Sequence, residues 1–297
     1  MYNQNRLSQY KIYNDARNYL SASPDILVEL ERFFAFKVNS LLLKNKESIK
    51  KDYDEASYTY PFWQNYPPDS RGRQPRGDQY PWIEVGEHSV GRKFSRHLTE
   101  DFSVYDIGVP TGADERFLLK SPEIYKITNG LSDSVFLSID IKSVGPRDDA
   151  HHAVMSHNQI SGDGIWENID LGVKNTPLIA RGIYAQHEFH CSLPPIYVLS
   201  DKTIAPVITM AVKPVYDMLS LRPGIHRDGQ PLKRISIASI PNGILLLVNP
   251  NYMGLYPGLL YPGKDDKGKN PLKVRARVDF SILQKINSWR YSDIHFL

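Results

Sequence analysis

Three residues near the middle of the chain have the types needed for metal-assisted phosphate chemistry: Asp114, Asp140 and Lys142. In-line cleavage of a phosphodiester requires a divalent cation that neutralises the phosphate, a nucleophilic water and stabilisation of the leaving oxygen. Mg²⁺ prefers oxygen ligands and keeps several waters, so two carboxylates are enough as protein anchors. The set therefore predicts Mg²⁺ ligands at Asp114 and Asp140, and a catalytic amine at Lys142.

The spacing of Asp140 and Lys142 is compatible with this chemistry because Ser134 to Val144 alternates between apolar and more polar residues. A period of two predicts a strand, on which Asp140 and Lys142 share one face at about 6.6 to 6.8 Å along the chain. This is the P-D…(D/E)-x-K pattern of nuclease sites, although Ala113 stands where that pattern has a proline. The ordinary alternative is a surface Asp and Lys that pair on an exposed strand face.

Other acidic, histidine and cysteine side chains are weaker candidates for metal binding. Glu84 and Glu87 lie one turn apart on a predicted helix, and Glu87 is the better candidate for an additional metal ligand. The alternative for both is a solvated helix face. The cluster from His187 to Cys191 lacks the ordered spacing of a zinc site, and Cys191 is expected to be a small buried apolar residue.

The elements that must position these residues are predicted from apolar periodicity and turn signals. Helices are predicted over Ile26–Leu43, after the start signal Ser23-Pro24-Asp25, and over Trp82–Leu98, with a surface loop at Tyr60–Pro81 between them. Further strands are predicted at Ser103–Val109, Ile196–Leu199, Ile204–Val212 and Val274–Phe280, and a hairpin at Ile235–Ile240 and Ile244–Val248 around Asn242-Gly243. The segment His151–Pro194 is expected to form loops with short elements.

The composition is that of an ordinary globular protein, and the length allows one large domain or two small ones. The 297 residues are 41% hydrophobic and 23% charged, and no apolar run approaches the ~18 residues of a membrane span. With a single cysteine and no visible secretory signal, a cytoplasmic protein is expected. The net charge of +3 is uninformative, but Lys264 to Arg277 holds six basic and two acidic residues. Such a stretch either neutralises nucleic-acid phosphates or forms a solvated loop.

Five motifs resemble the BglI-type restriction endonucleases, in order and with nearly constant spacing over most of the chain. They are Pro81-Trp82-Ile83-Glu84-Val85-Gly86-Glu87, Pro110-Thr111-Gly112-Ala113-Asp114-Glu115-Arg116, Thr128-Asn129-Gly130, Asp140-Ile141-Lys142-Ser143-Val144-Gly145-Pro146-Arg147-Asp148 and Pro262-Gly263-Lys264-Asp265-Asp266. The resemblance implies a mixed central β-sheet flanked by helices, in one endonuclease domain over residues 1–297. The catalytic core would lie at about 81–148 and the DNA-reading region at about 233–280.

The same resemblance implies a Mg²⁺-dependent homodimer that cuts double-stranded DNA at GCC-N5-GGC and leaves 3′ overhangs. Its catalytic residues would match Asp114, Asp140 and Lys142. Its base-reading residues would match Lys264, Asp266, Arg275 and Arg277. These types suit a G·C half-site, since Arg and Lys donate to guanine and Asp accepts from cytosine. A DNA methyltransferase that acts on the same site would protect the host.

Two other functions are compatible with the sequence. A repair or junction nuclease could use the same metal site, and a DNA-binding protein could keep the fold without cutting. The intact Asp114, Asp140 and Lys142 favour a cutting enzyme. The basic stretch with its embedded Asp266 favours an enzyme that reads bases over one that reads only DNA shape.

Overall fold

The computed structural model describes residues 2–64, 82–106, 111–183, 185–220, 229–263 and 274–296. The helices in these ranges are α1 Tyr2–Ala22, α2 Pro24–Lys44, α3 Lys46–Gln64, α4 Trp82–His97, α5 Pro122–Ile127, α6 Gly243–Leu247, α7 Tyr252–Leu255 and α8 Phe280–Ile286. The strands are β1 Ser103–Asp106, β2 Glu115–Lys120, β3 Ser134–Ile141, β4 His152–Met155, β5 Ile165–Asn168, β6 Gly172–Lys174, β7 Leu178–Arg181, β8 Gln186–Phe189, β9 Ile196–Val198, β10 Ile204–Tyr216, β11 Leu232–Ile240, β12 Leu260–Pro262, β13 Ala276–Asp279 and β14 Tyr291–His295. None of the described helices is long and apolar enough to cross a membrane.

A seven-stranded mixed sheet forms the centre of the molecule. Its main order is β1-β2-β3-β10-β11-β14, and β9 pairs with the early part of β10. Strands β3 and β10 run parallel, whereas the other neighbouring pairs are antiparallel. Every residue of β3 and β10 is buried, so these strands are covered on both faces, as parallel strands in α/β folds usually are. The expected mixed sheet flanked by helices is confirmed.

Helix α2 covers one face of this sheet and contacts β10, β11 and α4. Its apolar residues recur at helical spacing, and those that are fully buried include Leu27, Leu30, Phe34 and Val38. The helix begins with Pro24 in its first turn, where the missing N–H costs no hydrogen bond. The helix predicted over Ile26–Leu43 is therefore confirmed, as is that over Trp82–Leu98.

A second sheet of three antiparallel strands, in the order β12-β13-β4, holds one of the predicted DNA-reading residues. Arg277 of β13 pairs with Tyr261 of β12 on one side and with Val154 of β4 on the other. The segment His151–Pro194, predicted to form loops with short elements, includes β4 and two small hairpins, β5-β6 and β7-β8. The strands predicted at Ile196–Leu199 and Ile204–Val212 are present and paired.

The hairpin predicted around Asn242-Gly243 is wrong. The chain after β11 forms helix α6 instead, and the side chain of Asn242 caps it by accepting a hydrogen bond from the Ile244 N–H at 3.0 Å. The Asn242 amide also donates to the carbonyls of Pro195 and Val207, both at 2.9 Å. A Cβ at Gly243 would lie 1.8 Å from the Gly162 carbonyl oxygen. Asn242 and Gly243 therefore form the buried N-terminus of helix α6 and not an exposed turn.

The predicted loop over Tyr60–Pro81 begins too early. Helix α3 continues to Gln64, so the first five residues of that range are helical, and the remainder lies outside the described residues. Earlier turns of the helix carry i,i+4 ion pairs, Lys50 with Asp54 and Lys51 with Glu55. This helix continues past Pro61 even though proline has no N–H to donate.

Candidate active site

Asp140 lies at the end of the buried central strand β3. Only 1% of its surface is exposed, and its backbone pairs with Ala211 of β10. The strand ends at Ile141, but the Lys142 N–H still donates to the Val212 carbonyl at 2.8 Å, so the backbone remains extended there. The predicted strand is confirmed. The alternative of an exposed strand face is wrong, because both faces of β3 are covered.

Lys142 and Asp140 project to the same side, as their spacing predicts. The Lys142 amine donates a hydrogen bond to Asp140 Oδ1 at 2.9 Å. Asp140 Oδ2 lies 2.9 Å from the same amine as an ion-pair contact but accepts no hydrogen bond. The side chain of Lys142 is 34% exposed, whereas that of Asp140 is almost fully enclosed. The pair thus joins a buried carboxylate to an amine that also faces solvent.

Asp114 approaches the same point from the neighbouring strand. It immediately precedes β2, and the antiparallel register of β2 with β3 pairs Glu115 with Ile139, so one further step places Asp114 opposite Asp140. Asp114 Oδ2 accepts a hydrogen bond from the Ile141 N–H at 2.6 Å. Although they lie 26 positions apart in the sequence, the fold brings the two predicted metal ligands together.

Burial raises the pKa of Asp140 to about 6. Desolvation is the largest cause, the nearby Lys142 opposes it, and the charges of Asp114 and Glu87 raise the pKa further. A carboxylate in this environment is stabilised by any additional positive charge that approaches it. That is the electrostatic condition for a cation-binding site.

Glu87 is positioned by a close contact between α4 and the chain just after Lys142. A Cβ at Gly86 would lie 2.6 Å from the Ser143 Cβ and 2.7 Å from the Tyr53 hydroxyl, so glycine permits this approach. The Tyr53 hydroxyl and Ser143 Oγ are themselves hydrogen-bonded at 2.9 Å. Glu87 is half-buried, and its negative charge raises the pKa of Asp140. Its role as a third metal ligand stays a prediction.

Gln159 belongs to the site and was not predicted. It is 4% exposed, and its side-chain amide donates to Asp140 Oδ1 and, at 2.8 Å, to the Gly112 carbonyl. Its Oε1 accepts from the Ser156 N–H at 2.7 Å. No local pattern distinguishes this glutamine in the sequence. Only the pairing of distant segments reveals its contact with Asp140.

The residues present fit a magnesium ion. Mg²⁺ binds through one or two carboxylates together with waters and substrate phosphates. The buried Asp140 Oδ2 accepts no hydrogen bond, and Asp114 is exposed, with its Oδ2 accepting from the Ile141 N–H. Within the described ranges, no three His, Cys, Asp or Glu side chains form a complete metal-binding group. Two carboxylates completed by water and phosphate oxygens match this arrangement.

The predicted DNA-reading residues are only partly described. Arg277 is half-buried on β13, and a Cβ at Gly263 would lie 1.9 Å from its Nη1, so Gly263 leaves space for the guanidinium. Arg275 is exposed just before β13. Lys264 and Asp266 lie outside the described residues. Their roles in reading bases stay predictions.

Two carboxylates and a lysine at the ends of adjacent strands in a mixed α/β sheet are typical of nucleases of the restriction-endonuclease fold. The model of the family described as "Restriction endonuclease BglI" matches residues 8–294. The type II restriction enzyme BglI of Bacillus subtilis is 46% identical over 290 residues, which cover 96% of each chain. This chain belongs to the BglI restriction endonuclease family and is a type II site-specific deoxyribonuclease.

Solved structures agree with this assignment. The crystal structure of the restriction endonuclease BglI bound to its DNA recognition sequence matches with a TM-score of 0.88 and 44% identity, covering 99% of both chains. The tetrameric restriction endonuclease SfiI bound to cognate DNA matches with a TM-score of 0.61 and 16% identity, over 92% of this chain and 86% of that one. The second match shows a shared fold alone.

Proposed function

We propose that this enzyme uses Mg²⁺ to hydrolyse both strands of duplex DNA at GCC-N5-GGC, leaving 3′ overhangs. The observation that carries the proposal is the buried Asp140, with one oxygen free of hydrogen bonds, between Asp114 and Lys142. The resemblance of the whole chain to a restriction enzyme bound to its recognition sequence supports the choice of substrate. A repair or junction nuclease is disfavoured by that same family membership.

Asp140 and Asp114 would hold the metal. Asp140 would bind through Oδ2, which has only an ion-pair contact with the Lys142 amine, because both Lys142 and Gln159 donate hydrogen bonds to Oδ1. Asp114 would bind through Oδ1, because the Ile141 N–H holds its Oδ2. When bound, Mg²⁺ neutralises charge on the phosphate and makes a coordinated water more acidic. Burial of Asp140 strengthens this binding, because few water molecules compete for its carboxylate.

Lys142 would stabilise charge at the reacting phosphate. Its amine is anchored by Asp140 at 2.9 Å and is partly exposed, so it can contact a phosphate oxygen or an attacking water without leaving the site. An ammonium has three N–H donors, so contact with the carboxylate leaves donors for the substrate. Contact with Asp140 already restricts the long Lys142 side chain, so this side chain would lose less conformational entropy on binding DNA.

Arg277, Arg275, Lys264 and Asp266 would read the G·C pairs of each half-site. A guanidinium donates two hydrogen bonds to guanine O6 and N7, and a carboxylate accepts from cytosine N4. Arg277 lies on β13, which pairs with β12 on one side and with β4 on the other. Its backbone is therefore held in place, and the guanidinium extends from a fixed point of the sheet. Exposed Arg275 suits either a base or a phosphate.

A symmetric homodimer is the form that matches such a target. The two half-sites of a palindrome present the same groups, so each would meet the same surface of one subunit. One chain has one Asp114–Asp140–Lys142 set, and cutting both strands then requires two chains. In the bacterial cytoplasm, a methyltransferase specific for the same sequence would protect the host DNA.

A plasmid digest tests the proposed function. A plasmid with one GCC-N5-GGC site should be linearised with Mg²⁺ and left intact with EDTA. A matched plasmid in which one G·C pair of the site is changed should stay uncut. Cutting of both plasmids at many positions would contradict sequence-specific cleavage, and cutting of neither would favour a protein that binds DNA without cutting.

A further inference from the structure

Gln159 makes the only hydrogen bonds that link the loop before Asp114 directly to the Asp140 side chain, within the described part of the chain. Its amide nitrogen donates both to the Gly112 carbonyl, two residues before Asp114, and to Asp140 Oδ1. Gln159 is itself buried and lies in the turn that follows β4. A single side chain therefore contacts both segments that hold the proposed metal ligands.

The orientation of this amide is determined by its neighbours. The backbone N–H of Ser156 can only donate, so the atom facing it at 2.7 Å must be the acceptor Oε1. The amide nitrogen then faces a carbonyl and a carboxylate, which can only accept. Both donor positions of the nitrogen are used, so rotation of the amide would break three hydrogen bonds at once.

The consequence for Asp140 is that its two oxygens become different. Gln159 donates to Oδ1 alone, whereas the Lys142 amine lies 2.9 Å from both oxygens and donates to Oδ1; Oδ2 accepts no hydrogen bond. We propose that Gln159 is a positioning residue that orients Asp140 so that Oδ2 faces the metal. This rests on the proposed function, in which Asp140 is a metal ligand. Partners that orient a ligand in this way typically change metal affinity or activity by about 10- to 100-fold when they are removed.

The test measures metal affinity directly. Calorimetric titration with Ca²⁺ is made on the protein bound to a GCC-N5-GGC duplex, because Ca²⁺ also takes oxygen ligands. Gln159→Met keeps the length of the side chain and removes the amide, and Gln159→Leu is measured alongside in case one variant does not fold. The matched control is Asn158→Ala. Asn158 lies in the same turn against Gly112, and its side chain makes no hydrogen bond to Asp140.

We expect Gln159→Met to weaken Ca²⁺ binding by about 10- to 100-fold, with DNA binding in EDTA unchanged. Asn158→Ala should stay within about twofold of the parent. A Gln159→Met protein that binds Ca²⁺ within about twofold of the parent would overturn the positioning role, and so would an equal loss in Asn158→Ala. Asp140→Asn separates the two proposals: if it binds Ca²⁺ like the parent, the metal-ligand assignment itself fails.

Discussion

Asp114 Oδ2 accepts a hydrogen bond from the backbone N–H of Ile141 at 2.6 Å. Ile141 follows Asp140 directly and is paired with Val212 in the central sheet. The bond therefore fixes one carboxylate to the backbone that carries the other. The sheet therefore sets the distance between the two acidic residues. Binding of a phosphate would not require a loop to become ordered before both carboxylates are in place.

Lys142→Ala should slow cleavage by roughly 10²- to 10³-fold, the loss typical when one group that stabilises transition-state charge is removed. Binding of the specific duplex in Ca²⁺ should persist, because the carboxylates remain. Single-turnover cleavage and a binding titration measure the two effects. Exposed Lys174 on the β5-β6 hairpin provides the control, and Lys174→Ala should cut normally. Near-normal cleavage by Lys142→Ala would refute its catalytic role.

The metal-free protein should lose stability as pH rises from about 4 to 7, in part through Asp140. Its pKa is raised to about 6 by burial, so the folded state holds a proton that the unfolded state has released. Ionising the buried carboxylate then costs about 3 kcal/mol at neutral pH. Asp140→Asn removes this cost, so its free energy of unfolding in urea and EDTA should increasingly exceed that of the parent as pH rises.

The difference between parent and variant is the quantity to follow, because other titrating groups cancel in it. Asp170→Asn is the control, since Asp170 is exposed, and its difference from the parent should be flat with pH. If the stability difference between Asp140→Asn and the parent is also independent of pH, burial does not disfavour the ionised form of Asp140, and the prediction fails.

Cleavage should require Mg²⁺ or Mn²⁺, and Ca²⁺ should support specific binding without efficient cutting. Ca²⁺ also prefers oxygen ligands, but it is larger and accepts looser geometry than Mg²⁺. Because a carboxylate must be ionised to bind metal, the Mg²⁺ concentration for half-maximal cleavage should rise as pH falls below about 6. Cleavage that continues in EDTA would disprove the metal requirement.

Arg277→Ala should reduce recognition more than general affinity for DNA. A bidentate arginine–guanine pair contributes about 1–3 kcal/mol of discrimination, whereas a phosphate contact weakens binding to all sequences and reduces the salt dependence. Titrations on target and scrambled duplexes at several salt concentrations separate the two. Arg32→Ala, an exposed residue of α2, is the control. Equal losses on both duplexes would assign Arg277 to the phosphate backbone.

Much of this site could be predicted because its chemistry is local in sequence. The alternation of Ser134 to Val144 predicts the strand, and the two-residue spacing predicts that Asp140 and Lys142 share a side, as the 2.9 Å contact confirms. The burial of both faces of β3 could not be predicted from that alternation. It depends on distant segments that pack against the sheet, such as helix α4, which contacts β3 and begins at Trp82.

The features that could not be predicted depend on contacts between distant segments. Gln159 reaches Asp140 only because β4 and the turn after it fold against the loop at Gly112. The Asn242-Gly243 pair predicts a turn, but the Asn242 amide donates hydrogen bonds to the carbonyls of Pro195 and Val207. In each case tertiary hydrogen bonds decide the role of a polar side chain, and neither propensity nor spacing reports them.

The most direct test of the central claim is to sequence both strands at the cleaved ends of a DNA that contains one GCC-N5-GGC site. We expect one cut in each strand, within the unread base pairs, with 3′ overhangs. Phosphates offset in the 3′ direction face each other across the minor groove, which is only ~6 Å wide, so two active sites of a symmetric dimer must approach closely there. Discrete 3′ overhangs that appear only with Mg²⁺, and that are absent with Asp140→Asn, are the predicted result. Blunt or 5′-protruding ends, or cuts outside this sequence, would contradict it.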